Sequence, residues 1–189
     1  KMRQEILDEI EYGAKMLDGT IYDLLQYARP LTLEHSLVSL KEMVEGALKL
    51  LTDKAEKIRM ILDLEPPDKK IHVDAVKFTQ VLANIMSNAA DAMPDGGSLT
   101  ICSKFLVCEE GSFLHIALAD TGHGIDEQHL SQIYKPFFTT KTRGTGLGIP
   151  LCKKIMEAHG GAIHIKSKLG EGTTVELTVP LKQKTPSGQ

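Results

Sequence analysis

Three cysteines, Cys102, Cys108 and Cys152, are all that the chain contains, and no two of them form a C-x-x-C pair. Their odd number and spacing exclude a disulfide framework and a zinc site of the usual kind. They suit small buried thiols in a reducing, cytoplasmic setting. No apolar run approaches the ~20 residues that a membrane-spanning helix needs, and no signal peptide opens the chain. The basic excess of a nucleic-acid surface is missing too, because 22 Lys and Arg stand against 25 Asp and Glu, a formal net charge of −3. There is no internal repeat. What remains is the composition of an ordinary globular protein, 42% hydrophobic and 25% charged, over 189 residues. That length suits one domain and a smaller appendage. Lys1 falls inside a helical pattern, which reads as part of a longer protein whose upstream portion can carry a membrane anchor.

The appendage comes first, over residues 1–30. Leu7, Ala14, Ile21 and Ala28 are seven apart, and Ile10, Leu17 and Leu24 form a second row three residues on. These are the a and d positions of a heptad, the seam of a helical bundle. Pro30 stops the helix. One helix cannot bury such a stripe alone, so a partner helix is implied.

A linker of about ten residues leads into a domain expected to run to residue 182. Ser39 and Glu42 have the spacing of a capping box, followed by a stripe of Leu40, Met43, Val44, Ala47, Leu48 and Leu51. Ile58, Met60, Leu62 and Leu64 alternate as a strand closed by Pro66-Pro67. Asp74 can cap a third helix whose buried face is Phe78, Val81, Leu82, Ile85 and Ala89. Strands are expected at about Leu99–Val107, Phe113–Ala119, Ala162–Lys166 and Thr173–Val179, with a helix ending at His159-Gly160-Gly161. The tail 183–189 reads as disordered. The predicted fold class is α/β (α+β): a two-layer sandwich, with three helices on one face of a mixed, mostly antiparallel sheet.

Four clusters carry chemistry. Asn84 and Asn88 lie four apart on one face of the third helix, where an amide oxygen suits Mg²⁺. Asp120-Thr121-Gly122-His123-Gly124 follows an apolar strand. A carboxylate there can accept from an exocyclic amine, while glycines let a ligand approach the backbone. Lys135-Pro136-Phe137-Phe138-Thr139-Thr140-Lys141-Thr142-Arg143 reads as a cationic lid. Its phenylalanines would anchor it, and Lys141 or Arg143 would reach phosphate oxygens. Gly144-Thr145-Gly146-Leu147-Gly148 opens a helix and turns backbone N–H groups toward an anion. Pro150 fits the first turn of that helix. Any one of these patterns alone is also what an ordinary turn or solvated face shows.

Their order is more specific. Asn-x-x-x-Asn, D-x-G-x-G, Phe-Phe and G-T-G-L-G in succession resemble the ATP-binding domain of sensor histidine kinases. That domain belongs to the GHKL superfamily, with DNA gyrase, MutL and the heat-shock chaperone ATPases. The resemblance covers nearly the whole chain, and P-F-F-T-T-K is closest to the nitrogen-regulation type. It implies a bundle helix of a homodimer, ATP and Mg²⁺ as ligands, and a response-regulator receiver domain as partner. By resemblance, residues 84–91 are the N box, with Asn88 on Mg²⁺ and Asn84 and Asp91 near the phosphates. Asp120 accepts the adenine amine, and Thr173 (or Thr174) reaches the base through water. Gly122, Gly124, Gly146 and Gly148 admit the nucleotide. Further nucleotide contacts are implied at Ile125, Phe138, Thr139, Thr140, Lys141, Arg143, Gly144, Thr145 and Leu147. The gyrase-like alternative, an ATPase activating water, needs a carboxylate where Asn84 stands.

In the family the acceptor histidine sits on the first bundle helix before an acidic residue. The seven histidines here precede Ser, Val, Ile, Gly, Leu, Gly and Ile, and none lies within residues 1–30. Structural roles are expected for all seven, and the acceptor is expected on a helix outside this chain.

Overall fold

The computed structural model describes residues 2–51, 57–66, 70–109, 111–141 and 144–181. Arg143 and the expected tail therefore lie outside the described residues. Helix α1 (Met2–Ala28) is followed by β1 (Ser36–Ser39), α2 (Leu40–Leu50), β2 (Ile58–Leu64), β3 (Lys70–Val73) and α3 (Ala75–Asp91). Then come β4 (Gly97–Cys108), β5 (Gly111–Asp120), α4 (Glu127–Leu130), α5 (Gly148–Ala158), β6 (Ala162–Lys168) and β7 (Gly172–Pro180).

Five strands form one sheet in the order β2-β4-β5-β7-β6. In this sheet only the β2–β4 pair is parallel; β4–β5 and β6–β7 are antiparallel pairs of consecutive strands, and β5–β7 is antiparallel across the intervening helices. Alternation decides what faces inward. Leu99 and Ile101 on β4, Leu114, Ile116 and Leu118 on β5, and Val175, Leu177 and Val179 on β7 are buried against the helices. From the other side come Phe78, Val81, Leu82, Ile85 and Ala89 of α3, the expected face, with Leu151, Cys152, Ile155 and Met156 of α5. Helix α2 adds Leu40, Met43, Val44 and Ala47.

Both expected caps form. The Ser39 side chain accepts from the Glu42 N–H at 3.2 Å, and the Glu42 carboxylate accepts from the Ser39 N–H at 3.1 Å. Asp74 accepts from Lys77 N–H at 2.9 Å and from Glu34 N–H at 2.9 Å, tying the linker to the start of α3. Its burial opposes ionisation, but those N–H groups and the nearby His159 and Lys77 outweigh it and hold the carboxyl below its ordinary range.

Two short strands differ from the sequence expectation. β1 occupies the end of the expected linker, and β3 precedes α3; they pair antiparallel as a separate two-stranded sheet. Four residues each are too few to show a period, although Ile71 and Val73 do alternate inward. His159, at the end of α5, is buried. Its Nδ1–H donates to the Ile155 carbonyl and its Nε2 accepts from the Asp74 N–H at 3.0 Å. His35 stacks on His72 and meets the His159 ring edge-on.

Helix α1 is the exception to this packing. Leu7, Ile10, Leu17, Ile21 and Leu24, the expected seam, are 42–64% exposed. The last turns of α1 touch the domain, with Lys154 of α5 donating to the carbonyls of Tyr27 and Arg29. No described helix is long and apolar enough to cross a membrane.

Candidate functional site

A cavity of about 630 Å³ opens between α3, the C-terminal ends of β5 and the loop before α5. It brings together Asn84, Asn88, Asp91, Asp120, Gly124, Ile125, Phe138, Thr139, Thr140, Lys141, Gly144, Thr145, Gly146, Leu147, Gly148 and Thr173. Of the expected site residues that are described, only Gly122 does not line it.

The closed end is built by the sheet. Asp120 is the last residue of β5 and stands opposite Thr173 of β7 in the ladder. Its Oδ1 accepts from Gly122 N–H at 2.9 Å and Thr173 N–H at 3.2 Å, which leaves Oδ2 to receive a ligand's donor. Burial pushes this carboxyl up; the two N–H groups and the neighbouring His123 pull in the opposite direction without cancelling it. Leu99, Leu118, Ile165 and Val175 supply apolar walls around it. The arrangement suits a flat heteroaromatic ring carrying one outward amine.

Ser167, which the motifs did not mark, locks this end. Its hydroxyl donates to the Gly172 carbonyl and bonds Thr173 Oγ1 at 2.9 Å, and it accepts from Ile125 N–H at 2.8 Å. Thr174, the other threonine considered, pairs with Ala119 and Lys166 and does not line the cavity.

The glycines have different reasons to be glycine. A Cβ on Gly122 would fall 2.7 Å from Ala92, and one on Gly124 (φ +70°) 2.0 Å from the Lys168 carbonyl. A Cβ on Gly146 (φ +67°) would meet the Phe137–Phe138 backbone at 2.5–2.7 Å. These three therefore permit chain to pack on chain. Gly148 alone among the four has open space where its Cβ would point.

The open end is made of loops. Phe138 lies beside the His129 ring, whereas Phe137 is 62% exposed. One phenylalanine, not two, anchors the segment, because Phe137 takes a left-handed φ of +67° that turns its side chain outward. Its N–H donates to the Gly146 carbonyl at 3.1 Å and pins the crossing. Lys141 reaches α3, where its ammonium donates to Asn88 Oδ1 at 2.7 Å and Asp91 Oδ2 at 2.8 Å. Thr145 donates to Asp23 Oδ2 of α1 at 2.8 Å, a contact of 122 residues' separation that no local pattern shows.

Asn84 sits one turn back on α3, near the buried Cys152 thiol, which donates to the Val81 carbonyl at 3.8 Å and whose burial pushes its pKa up to about 12. That cysteine is therefore inert. Among the described residues no group of three His, Cys, Asp or Glu side chains is placed to hold a metal. Mg²⁺ needs no such cage, since it takes one or two protein oxygens and completes its shell with phosphate and water. Asn88 Oδ1 and Asp91 Oδ2 already share one cation, the Lys141 ammonium, so their oxygens fit a hard cation.

Fold and cavity together define a nucleotide-binding domain of the helix-over-sheet sandwich type. A family model described as "Histidine kinase-, DNA gyrase B-, and HSP90-like ATPase" matches residues 73–183, and the chain belongs to that family. It is 32% identical over 183 residues to sporulation kinase C of Bacillus subtilis, covering 95% of this chain and 42% of that protein. The catalytic domain of histidine kinase ThkA superposes with a TM-score of 0.68 at 29% identity, covering 78% of this chain and 96% of that one. ThkA in complex with the response regulator TrrA gives 0.75 at 25% identity, over 93% of this chain and 50% of that one. The chain spans between 23 and 42% of the length of the first curated relatives it matches.

Proposed function

We propose that the cavity binds ATP with Mg²⁺ and presents the γ-phosphoryl group to a histidine nitrogen on a bundle helix. The phosphoryl group then passes to an aspartate of a response-regulator receiver domain. The observation that carries this reading is the placement of Asp120 at the closed end and of Asn88, Asp91, Lys141 and Gly148 at the open end of one cavity. Asp120 Oδ2 accepts the adenine amine, and Gly148 lets the phosphates approach the start of α5. Lys141 supplies positive charge where the phosphates lie. Asn88 holds Mg²⁺, which when bound neutralises phosphate charge during in-line transfer.

Residues 1–30 are read as the second helix of a dimerisation bundle, and the exposed α1 seam supports a homodimer through it. That helix carries no histidine. His35 belongs to the stack at the N-terminal end of α3, while Asn88 is fourteen residues further along the helix, about 20 Å at 1.5 Å per residue. Transfer needs the acceptor within about 3–3.5 Å of the phosphorus. The test is label from γ-labelled ATP that survives alkali and is lost in acid. This chain alone should bind ATP and take up none. With a bundle helix carrying a His-Glu or His-Asp pair, in cis or in trans, label should appear on that helix. Acid-labile label on this chain alone would overturn the assignment.

A further inference from the structure

The Lys141 ammonium donates to two oxygens of α3 that line the open end of the cavity, 2.7 Å from Asn88 Oδ1 and 2.8 Å from Asp91 Oδ2. We propose that Lys141 is a tethered cation that competes with the divalent metal for Asn88 and Asp91, so that metal entry and release of the lid segment are one event. The inference rests on the reading of Asn88 as a metal ligand and adds an exclusion to it.

The physical argument is short. Asn88 offers a single amide oxygen, and its partner Asp91 lies three residues on along the same helix face. An ammonium and a divalent ion on one amide–carboxylate pair repel each other, so they exclude one another from it. Lys141 is attached to the loop that also carries Thr139 and Gly144, and Thr139 Oγ1 accepts from the Lys141 N–H at 3.1 Å. Displacing the ammonium therefore removes these two bonds between the loop and α3. The ion pair is accessible, with side chains 42% and 30% exposed, so it is weak enough to yield to a divalent ion. Phosphate oxygens of the bound nucleotide offer the displaced ammonium a second seat, which makes the exchange reversible. Lysine suits this duty better than arginine, whose planar fork would hold Asn88 and Asp91 more firmly.

The competition is read with Mn²⁺ alone, without nucleotide, so that contacts to phosphate cannot contribute. Water-proton relaxation gives the Mn²⁺ affinity, paramagnetic broadening places the ion, and amide hydrogen exchange follows the segment from Lys135 to Lys141. Lys141→Met keeps the length and removes the charge; it should bind Mn²⁺ about two- to fivefold more tightly, the scale of an exposed ion pair. Its segment should exchange faster at every Mn²⁺ concentration. In the unmodified chain Mn²⁺ should accelerate that exchange, and in Lys141→Met it should add nothing. Lys141→Arg should bind Mn²⁺ no better than the unmodified chain. If Asn88→Ala keeps the broadening on α3, the metal assignment fails and the competition with it. If Asn88→Ala loses the broadening while Lys141→Met binds Mn²⁺ no more tightly, the metal assignment stands and the competition alone is overturned. Lys141 lies on an exposed loop, so thermal unfolding should be unchanged in both lysine variants.

Discussion

The two ends of the cavity are built differently. At the base end the key group is the last residue of a central strand. Asp120 is fixed by the β5–β7 register, two backbone N–H groups and the Ser167 network behind Thr173. At the other end Thr139, Thr140, Lys141 and Gly144 are exposed loop residues, and the loop reaches α3 through Lys141 and α1 through Thr145. Strand register sets the position of a group closely and resists change, because a slip would turn every buried residue outward. Loops tolerate movement and so can open and close. On the proposed reading, specificity for the base is thus invested in the sheet, and response to the charge of the ligand in the loops.

The sharpest way to break this contrast is Asp120→Ala. It should weaken ADP binding by about 1.5–3 kcal/mol, the range for a hydrogen bond to a charged group, with the fold intact by circular dichroism. Asn88→Ala comes next. It should remove most of the gain that Mg²⁺ brings to ADP binding in calorimetry, while binding without metal changes little. A full Mg²⁺ gain in that variant would remove Asn88 from the metal.

Acidification probes the base end without mutation. On the proposed reading the binding form of Asp120 is the carboxylate, and burial raises its pKa above 3.8. ADP affinity should therefore fall as pH drops through that raised value, earlier than for an ordinary aspartate. For stability the sign reverses, because the folded state holds the Asp120 proton more tightly; this group's contribution declines as pH rises from 3.8 through the folded pKa. His159 behaves the other way. Burial lowers its pKa from 6.5, so its contribution is present above 6.5 and lost as pH falls through the folded value, measurable in urea melts.

Smaller effects belong to the loops. Trypsin should cut first after Lys141, and a non-hydrolysable ATP analogue should slow the cut; an identical course with and without the analogue would contradict a movable phosphate end. Thr145→Val should cost least, a few tenths of a kcal/mol, since it removes a partly exposed bond to Asp23 and a long 3.4 Å bond from the Leu147 N–H. Its effect should show as faster amide exchange in the last turns of α1.

The contrast also explains how much was legible in the sequence. Helix faces, caps and the four long hairpin strands follow from local periodicity, and Asp120, Asn88 and Lys141 stand in motifs. The Ile125–Ser167, Thr145–Asp23 and His159–Asp74 bonds were not legible, because each spans 42 to 122 residues and depends on which strands and helices become neighbours. The short β1, β3 and α4 each span four residues, less than the window in which a period can be read. Phe137 was misjudged as an anchor because composition shows an aromatic pair but not a left-handed φ.

The most direct measurement is a calorimetric titration of the chain with Mg·ADP and with Mg·GDP, repeated on Asp120→Ala. A carboxylate fixed by the sheet accepts from the adenine amine but meets the guanine carbonyl with repulsion. ADP should therefore bind at least about tenfold more tightly, a difference of 1.4 kcal/mol, and the preference should vanish in the variant. Equal affinity for the two nucleotides in the unmodified chain would contradict a base end defined by Asp120.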